Sequence, residues 1–455
     1  MSVLDFAEVT SACTVMPVAV RLDPYWSGVW EQGSSAAWLS ANLARRQEAS
    51  GLGKIPSHLA YAEGQLLESL GISHRVDSRL SAMGAIDVWR TLTGEQLAAF
   101  TGDTKLASPT SKSLGELFAA GIADIGLFNT GLSYGKGAGA IYRPARTNTF
   151  DREIAPHLTY PEWVSVTGGY PWESGSQFDR HNILAAELAL RVAEWCEIGA
   201  VVGEKLSSWD LLAHGGAGFE APVGAQHAAD ATLIRTDGMR IAVELTASTG
   251  LSFKAKVRRW ATLLANRRMA DTGLVVIFVV ATRPDKMVNS GEVTNFVRRV
   301  VASAARDNPG VNFDRTASRM LVADWRDWFP GAKRVDRSFL SLECQRPTGP
   351  AGDPWETAFL LDPFDVVFEP KDEARSLAVI DNLSALRAVP SWLRNGRAPE
   401  LWPLAVKEAG FAGIPVPLPS RPESHIGVPL GAPVGASGQT KPPRRLRINR
   451  SAGER

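Results

Sequence analysis

The stretch from Asp230 to Lys256 constrains this chain most, because it sets an acidic hairpin directly ahead of a basic amphipathic helix. It reads A-D-A-T-L-I-R-T-D-G-M-R-I-A-V-E-L-T from Ala229, then S-F-K-A-K-V-R-R-W from Ser252. Ala229–Thr236 and Arg240–Thr246 are short, rich in β-branched residues and separated by Asp237-Gly238, a turn signal between antiparallel strands. Ala231 and Leu233 share a buried face with Ile241, Val243 and Leu245 only if the loop holds an odd number of residues, such as Asp237-Gly238-Met239 with a bulge. A two-residue turn would instead oppose Leu233 to Ala242. The matching register puts Asp230, Thr232, Glu244 and Thr246 together on the other face. Two carboxylates converging from adjacent strands suit a hard divalent cation such as Mg2+, which takes oxygen ligands and keeps waters for substrate phosphates. A half-exposed polar strand face is the plainer reading of the same residues.

The flanks have helical and strand periodicity of their own. Leu184, Leu188, Val192 and Trp195 recur at helical spacing, which predicts a helix over His181–Ile198. Val201–Lys205 is a short segment carrying Glu204. Phe253, Val257, Trp260 and Leu264 predict a second helix over Ser252–Met269, stopped by Asp271-Thr272-Gly273. Leu274–Ala281, L-V-V-I-F-V-V-A, has the continuous apolar character of a buried central strand. Val293, Phe296, Val297, Val300 and Val301 predict a third helix. The order is helix, hairpin, helix, buried strand, helix.

With A-D-A at 229–231, V-E-L-T at 243–246, F-K-A-K-V-R-R-W at 253–260 and the following V-V-I-F-V-V, the chain resembles the restriction-endonuclease-like, or PD-(D/E)xK, nuclease fold. More narrowly it resembles the replication-relaxation family of actinobacterial plasmids and mobile elements, over roughly residues 90–330. The resemblance implies an α/β core in which an Asp, a Glu and a Lys serve metal-dependent phosphodiester cleavage, or a descendant of that site retained for binding DNA. The pattern's lysine position, two after Glu244, holds Thr246. A lysine can arrive from the helix instead, and Lys256 flanks the apolar face whereas Lys254 and Arg258 point toward solvent. The expected catalytic set is therefore Asp230, Glu244 and Lys256, with Mg2+ held by Asp230 and Glu244 and by Glu204 from the first helix side. Glu204 also reads as an exposed strand-end acid. Lys254, Lys256, Arg258, Arg259, Arg267 and Arg268 read either as phosphate contacts or as a solvated basic face. His181 reads as a structural group, and the seven histidines form no zinc or paired-histidine motif.

A second module precedes this core. Thr93 is a plausible cap for a helix through Phe100, and Ser108-Pro109-Thr110 leads into another helix stopped by Gly121. Together with Ile122–Phe128 and the glycine-rich 131–139 this looks like a winged helix-turn-helix. Its recognition helix, Thr110–Ala120, would offer Lys112, Thr110, Ser111 and Ser113 to DNA, and its wing region Tyr134, Lys136, Tyr142, Arg143 and Arg146. A helical hairpin with a flexible linker is the alternative. Gly135-Lys136-Gly137 lacks the spacing of a phosphate loop.

The 455 residues suffice for two or three domains, and 45% hydrophobic with 21% charged is ordinary for a globular chain. The net charge of +1 conceals a basic helix and a basic C-terminus. Cys13, Cys196 and Cys344 are few, odd in number and widely spaced, which suits a reducing cytoplasm. No leader or membrane-length apolar run is visible, so a cytoplasmic protein without membrane association is expected. The expected organisation is an N-terminal segment 1–60, a winged-helix module 61–150, the nuclease-like α/β domain 151–330, an extension 331–411 and a disordered Pro/Gly-rich basic tail 412–455. Arg444 and Arg445 in that tail can add salt-sensitive affinity for DNA phosphates. Two functions follow. One is a DNA-binding protein of plasmid or mobile-element replication or mobilisation, partnered by replication or conjugation proteins of the same element; the other is an active Mg2+-dependent DNA endonuclease.

Overall fold

A computed structural model describes residues 3–130, 133–134, 139–158, 160–168, 172, 174, 178–207, 229–247, 250–285, 290–311, 314–349 and 354–394. The chain is a mixed α/β protein whose two larger sheets carry the fold. Among the described residues, no helix is long and apolar enough to cross a membrane. The three cysteines are free thiols.

The smaller sheet combines β1 (Ser35–Leu39), β2 (Leu92–Thr93), β3 (Ala123–Thr130) and β4 (Ala140–Pro144) in the order β1-β3-β4-β2. Three helices belong to it: α1 (Ser73–Trp89), α2 (Gly94–Thr101) and α3 (Lys112–Ala119). Thr93 caps α2 reciprocally, its hydroxyl accepting from the Gln96 N–H while the Gln96 carboxamide oxygen accepts from the Thr93 N–H. Gly121 takes the positive φ of 70° that ends α3.

The larger sheet has seven strands: β5 (Ala200–Gly203), β6 (Ala231–Ile234), β7 (Arg240–Thr246), β8 (Leu274–Val280), β9 (Met320–Asp324), β10 (Glu343–Pro347) and β11 (Trp355–Phe359). They lie in sequence order across the sheet. β7, β8 and β9 are parallel, while β5, β6, β10 and β11 add antiparallel edges. Two crossover helices link the parallel strands, α5 (Leu251–Ala265) and α6 (Ser290–Asp307). β8 is buried throughout because it is paired on both sides and covered on both faces. Leu274, Val276, Phe278 and Val280 meet Phe253, Val257 and Trp260 of α5 and Val293, Val297 and Val301 of α6. Val275, Ile277 and Val279 join the main core, which includes Leu184, Leu188 and Val192 of α4 (Asp179–Trp195).

The hairpin register pairs Ala231 with Val243 and Leu233 with Ile241, so the apolar parity is the one expected from sequence. Its loop differs. Thr236, Asp237 and Gly238 form a three-residue turn closed by the Arg235 N–H donating to the Met239 carbonyl at 2.9 Å. Met239 is buried and serves the core rather than the turn. Gly238 has φ 87°, and a Cβ there would meet the Ser376 carbonyl oxygen at 2.4 Å. The polar face is not half-exposed either: Thr232, Glu244 and Thr246 are all buried, Glu244 under Lys256 and Trp260 of α5 and Thr232 against Ser207, with β5 and β8 flanking the hairpin.

The N-terminal segment runs across both sheets. Arg21 and Arg191 sit buried with Glu187, Glu194 and Asp23, fastening the segment to α4. Further on, the Tyr25 hydroxyl donates to the Thr282 carbonyl and the Trp30 indole to that of Ala281, at the end of β8.

Candidate active site

Chain parity places the site. Asp230 immediately precedes β6, and its N–H donates to the Val243 carbonyl at 3.0 Å, which brings its side chain beside Glu244 in the middle of β7. The Leu245 N–H donates to Asp230 Oδ2 at 2.6 Å. Glu244 points to the face covered by α5, where Lys256 Nζ donates to its Oε2 at 2.6 Å and Trp260 Nε1 to its Oε1 at 2.7 Å. Lys256 and Trp260 are one helical turn apart, so a single face of α5 delivers both donors. The lysine absent from position 246 thus comes from 12 residues beyond Glu244.

Glu204 follows β5 and accepts a hydrogen bond from Asn182 near the start of α4. Burial pushes its carboxyl up to about 7, with the Asp230 charge adding to the rise. Burial also raises Asp230, against the pull of Lys256 and the Leu245 N–H. Glu244 is pushed up to about 7 by burial, with Lys256 working in the opposite direction. Burial opposes the Lys256 ammonium too, yet Glu244, Asp230 and Glu204 together hold its pKa above the ordinary lysine value. Asp230, Glu244 and Glu204 thus all act on one ammonium, and a further cation bound beside them would favour their ionised forms.

Among the described residues, no three His, Cys, Asp or Glu side chains gather closely enough to cage a metal by themselves. Glu204, expected as a third ligand, is within electrostatic reach without completing such a set, and it is not the exposed acid of the plainer reading. The donors still fit Mg2+, which needs few carboxylates when water and phosphate oxygens fill the rest of its shell. Glu244 is the more engaged of the pair, since both its oxygens already accept hydrogen bonds.

A pocket of about 330 Å3 opens beside Glu244, lined by Lys256, His181, Trp30, Arg180, Arg259 and Arg283 among others. Burial, with Lys256 and Arg180 nearby, pushes the His181 imidazole down to about 4, so it is neutral at physiological pH. Its ring packs edge-on against Trp30 at 5.0 Å, the structural role expected for it.

The other expected DNA contacts scatter. Lys254 and Arg258 project from α5 into a separate groove shared with Arg299 and Phe296 of α6. Arg143 is engaged internally, 3.3 Å from Asp124 and 4.1 Å above the Trp38 ring. Lys112 is exposed, 3.9 Å from Glu116. Lys136, Arg444 and Arg445 lie outside the described residues, as does the tail. The expected recognition helix needs correcting: Ser111 is buried, and so is all of α3 except Lys112. A Cβ on Gly115 would meet the His58 carbonyl oxygen at 2.3 Å and the Tyr61 ring at 2.6 Å. Phe118 packs with Ala41, Ala44 and Leu59. Leu114, Leu117 and Phe118 make α3 apolar on more than one side, and residues 41–61 cover the side that DNA would need.

Sequence reasoning misses Asn182, Trp260, Arg180, Arg283 and Trp30 as site residues. Only Trp260 carries a usable signal, its four-residue spacing from Lys256. The chain matches no family model, no curated protein and no solved structure.

Proposed function

We propose that this chain acts on DNA as a metal-dependent phosphodiesterase, with a PD-(D/E)xK-type site whose lysine is supplied by the following helix. The observation that carries this reading is the 2.6 Å contact of Lys256 Nζ with Glu244 Oε2 beside Asp230, in a pocket otherwise rich in guanidinium groups. Asp230 and Glu244 are the residues that would hold Mg2+, which would supply charge neutralisation and a more acidic water. Lys256 stands where its ammonium can orient that water or stabilise charge developing on the phosphate. Trp260 fixes the Glu244 carboxylate through Oε1, and neutral His181 with Trp30 forms the apolar wall that limits water. DNA as the substrate class is taken from the sequence resemblance, and the Arg180, Arg259 and Arg283 guanidinium groups lining the pocket suit a polyanion. The setting implied by the sequence resemblance, replication or mobilisation of a plasmid or integrated element, belongs to the same proposal.

Plasmid incubated with the full chain in Mg2+, in Mn2+ and in chelator tests it. Cleavage that requires metal and is abolished in D230A and E244A is expected; metal-independent cleavage, or none in any condition, refutes it. A second reading, a protein that holds DNA without cutting, is favoured by one observation: both Glu244 oxygens are already satisfied by protein donors. Under that reading D230A and E244A leave DNA affinity unchanged or raise it, and no metal produces a product.

A further inference from the structure

The pocket beside Glu244 holds more positive charge than its carboxylates neutralise. Lys256 is committed to Glu244. Arg180, in the first turn of α4, donates to the Glu31 backbone carbonyl, and Arg283, three residues past β8, lines the same pocket. Among the described residues, neither guanidinium forms an ion pair. The backbone that carries Arg283 is held in place. The Arg283 carbonyl accepts from the Arg326 guanidinium at 3.2 Å, and the neighbouring segment is tied by the Gln32 N–H donating to Asp285. Trp30, which lines the same pocket, donates to the Ala281 carbonyl at 2.8 Å. The two like charges also work against each other, since burial first and then the Arg283 charge push the Arg180 guanidinium below its ordinary value. Two guanidinium groups that line one open pocket and have no carboxylate partner among the described residues make a site for an external anion, and their planar forks match phosphate oxygens.

We propose that Arg180 and Arg283 form a phosphate subsite adjoining the acid site, which takes a second phosphate of the strand whose neighbouring phosphodiester faces Glu244 and Lys256. The assignment rests on the phosphodiesterase reading for its strand geometry, and it makes the substrate a polynucleotide rather than a small phosphodiester. A strand-internal phosphate and a terminal 5′-phosphate share this chemistry.

Binding of a fluorescein-labelled duplex to the full chain, in chelator and across a salt series, tests the subsite without any cleavage step. Each of R180Q and R283Q is expected to flatten the slope of log Kd against log salt by about 0.9, the change that follows when one phosphate is no longer neutralised. R180K and R283K restore it. Arg283 is the cleaner test, since its guanidinium has no protein partner among the described residues, whereas R180Q also removes the hydrogen bond to Glu31. Wild-type slopes in both Gln variants, or no DNA binding by the wild type, overturn the proposal. Repeating the series with 5′-phosphorylated and unphosphorylated single strands separates the sources. A preference for the phosphorylated strand that vanishes in R283Q places the phosphate at an end, and equal binding places it within the strand. Failure of the two readings is distinguishable. Arg-dependent slopes with no metal-dependent cleavage sink the phosphodiesterase and keep the subsite; cleavage by the wild type with slopes unchanged in the variants does the reverse.

Discussion

Replacing Trp260 by Phe isolates the donor that holds Glu244 in place. Trp260 is fully buried and its Nε1 donates to Glu244 Oε1 at 2.7 Å, so W260F keeps an aromatic ring in the core and removes one hydrogen bond to a buried carboxylate. A bond to an ionised acceptor contributes about 1.5–3 kcal/mol, against about 1 kcal/mol for a neutral one. The smaller ring adds roughly 1 kcal/mol for unfilled volume, independent of pH. The pH dependence follows from the sign of the Glu244 shift. Its folded pKa is raised to about 7 from an ordinary 4.5, so its contribution to stability is fully present below 4.5 and is lost as pH rises through 7. Removing the indole raises that pKa further and deepens the loss on the alkaline side. Urea denaturation at a pH near 5 should therefore show W260F destabilised by about 2 kcal/mol, and near pH 8.5 by about 2.5–4 kcal/mol. Equal destabilisation at the two pH values, within about 0.5 kcal/mol, would refute the claim that the indole supports the ionised carboxylate.

Three further outcomes are expected. K256Q should lower single-turnover plasmid cleavage by about 10²–10³-fold while leaving the salt-dependent affinity within a few-fold, measured in Mg2+ and in chelator respectively. E204Q cannot ionise, so the loss of stability that wild-type Glu204 incurs between pH 4.5 and about 7 should disappear from the variant's urea midpoints. The difference between the two proteins across that window is at most about 3 kcal/mol. G115V forces a side chain against the His58 carbonyl and the Tyr61 ring, and should cost about 1–3 kcal/mol and speed proteolysis within residues 50–63, read by limited trypsin digestion.

The elements from 179 to 307 are legible in the sequence because each has its own periodicity. The L-V-V-I-F-V-V run, short, β-branched and apolar throughout, has the character of a doubly covered strand, and the alternation of Ala231, Leu233, Ile241 and Val243 carries the parity that sets Asp230 beside Glu244. Lys256 can be read from a helical wheel because its position relative to Phe253 and Trp260 is local geometry. What escapes are relations between distant segments. Nothing near Arg180 or Arg283 in the chain hints that one pocket receives both, since one opens a helix and the other follows a strand about a hundred residues later. The cover over α3 is equally hidden. Thr110–Ala120 has the length and polar lead-in of a recognition helix, and only the packing of residues 41–61 shows that its apolar residues need two partners.

The path of residues 21–32 sets a timetable for the molecule. Trp30 walls the pocket and Glu31 receives Arg180, yet the acceptors of Trp30 and Tyr25 lie 251 and 257 residues further along. At synthesis rates of about 5–20 residues per second, this strip waits on the order of 10–50 s for the strand end it will cover. During that interval its aromatic side chains lack their permanent partners. A fragment cut to residues 151–330 would keep Asp230, Glu244 and Lys256 but lack one wall of the pocket and the Arg180 anchor. The smallest piece in which this chemistry can be assayed therefore includes the first strip as well as the sheet.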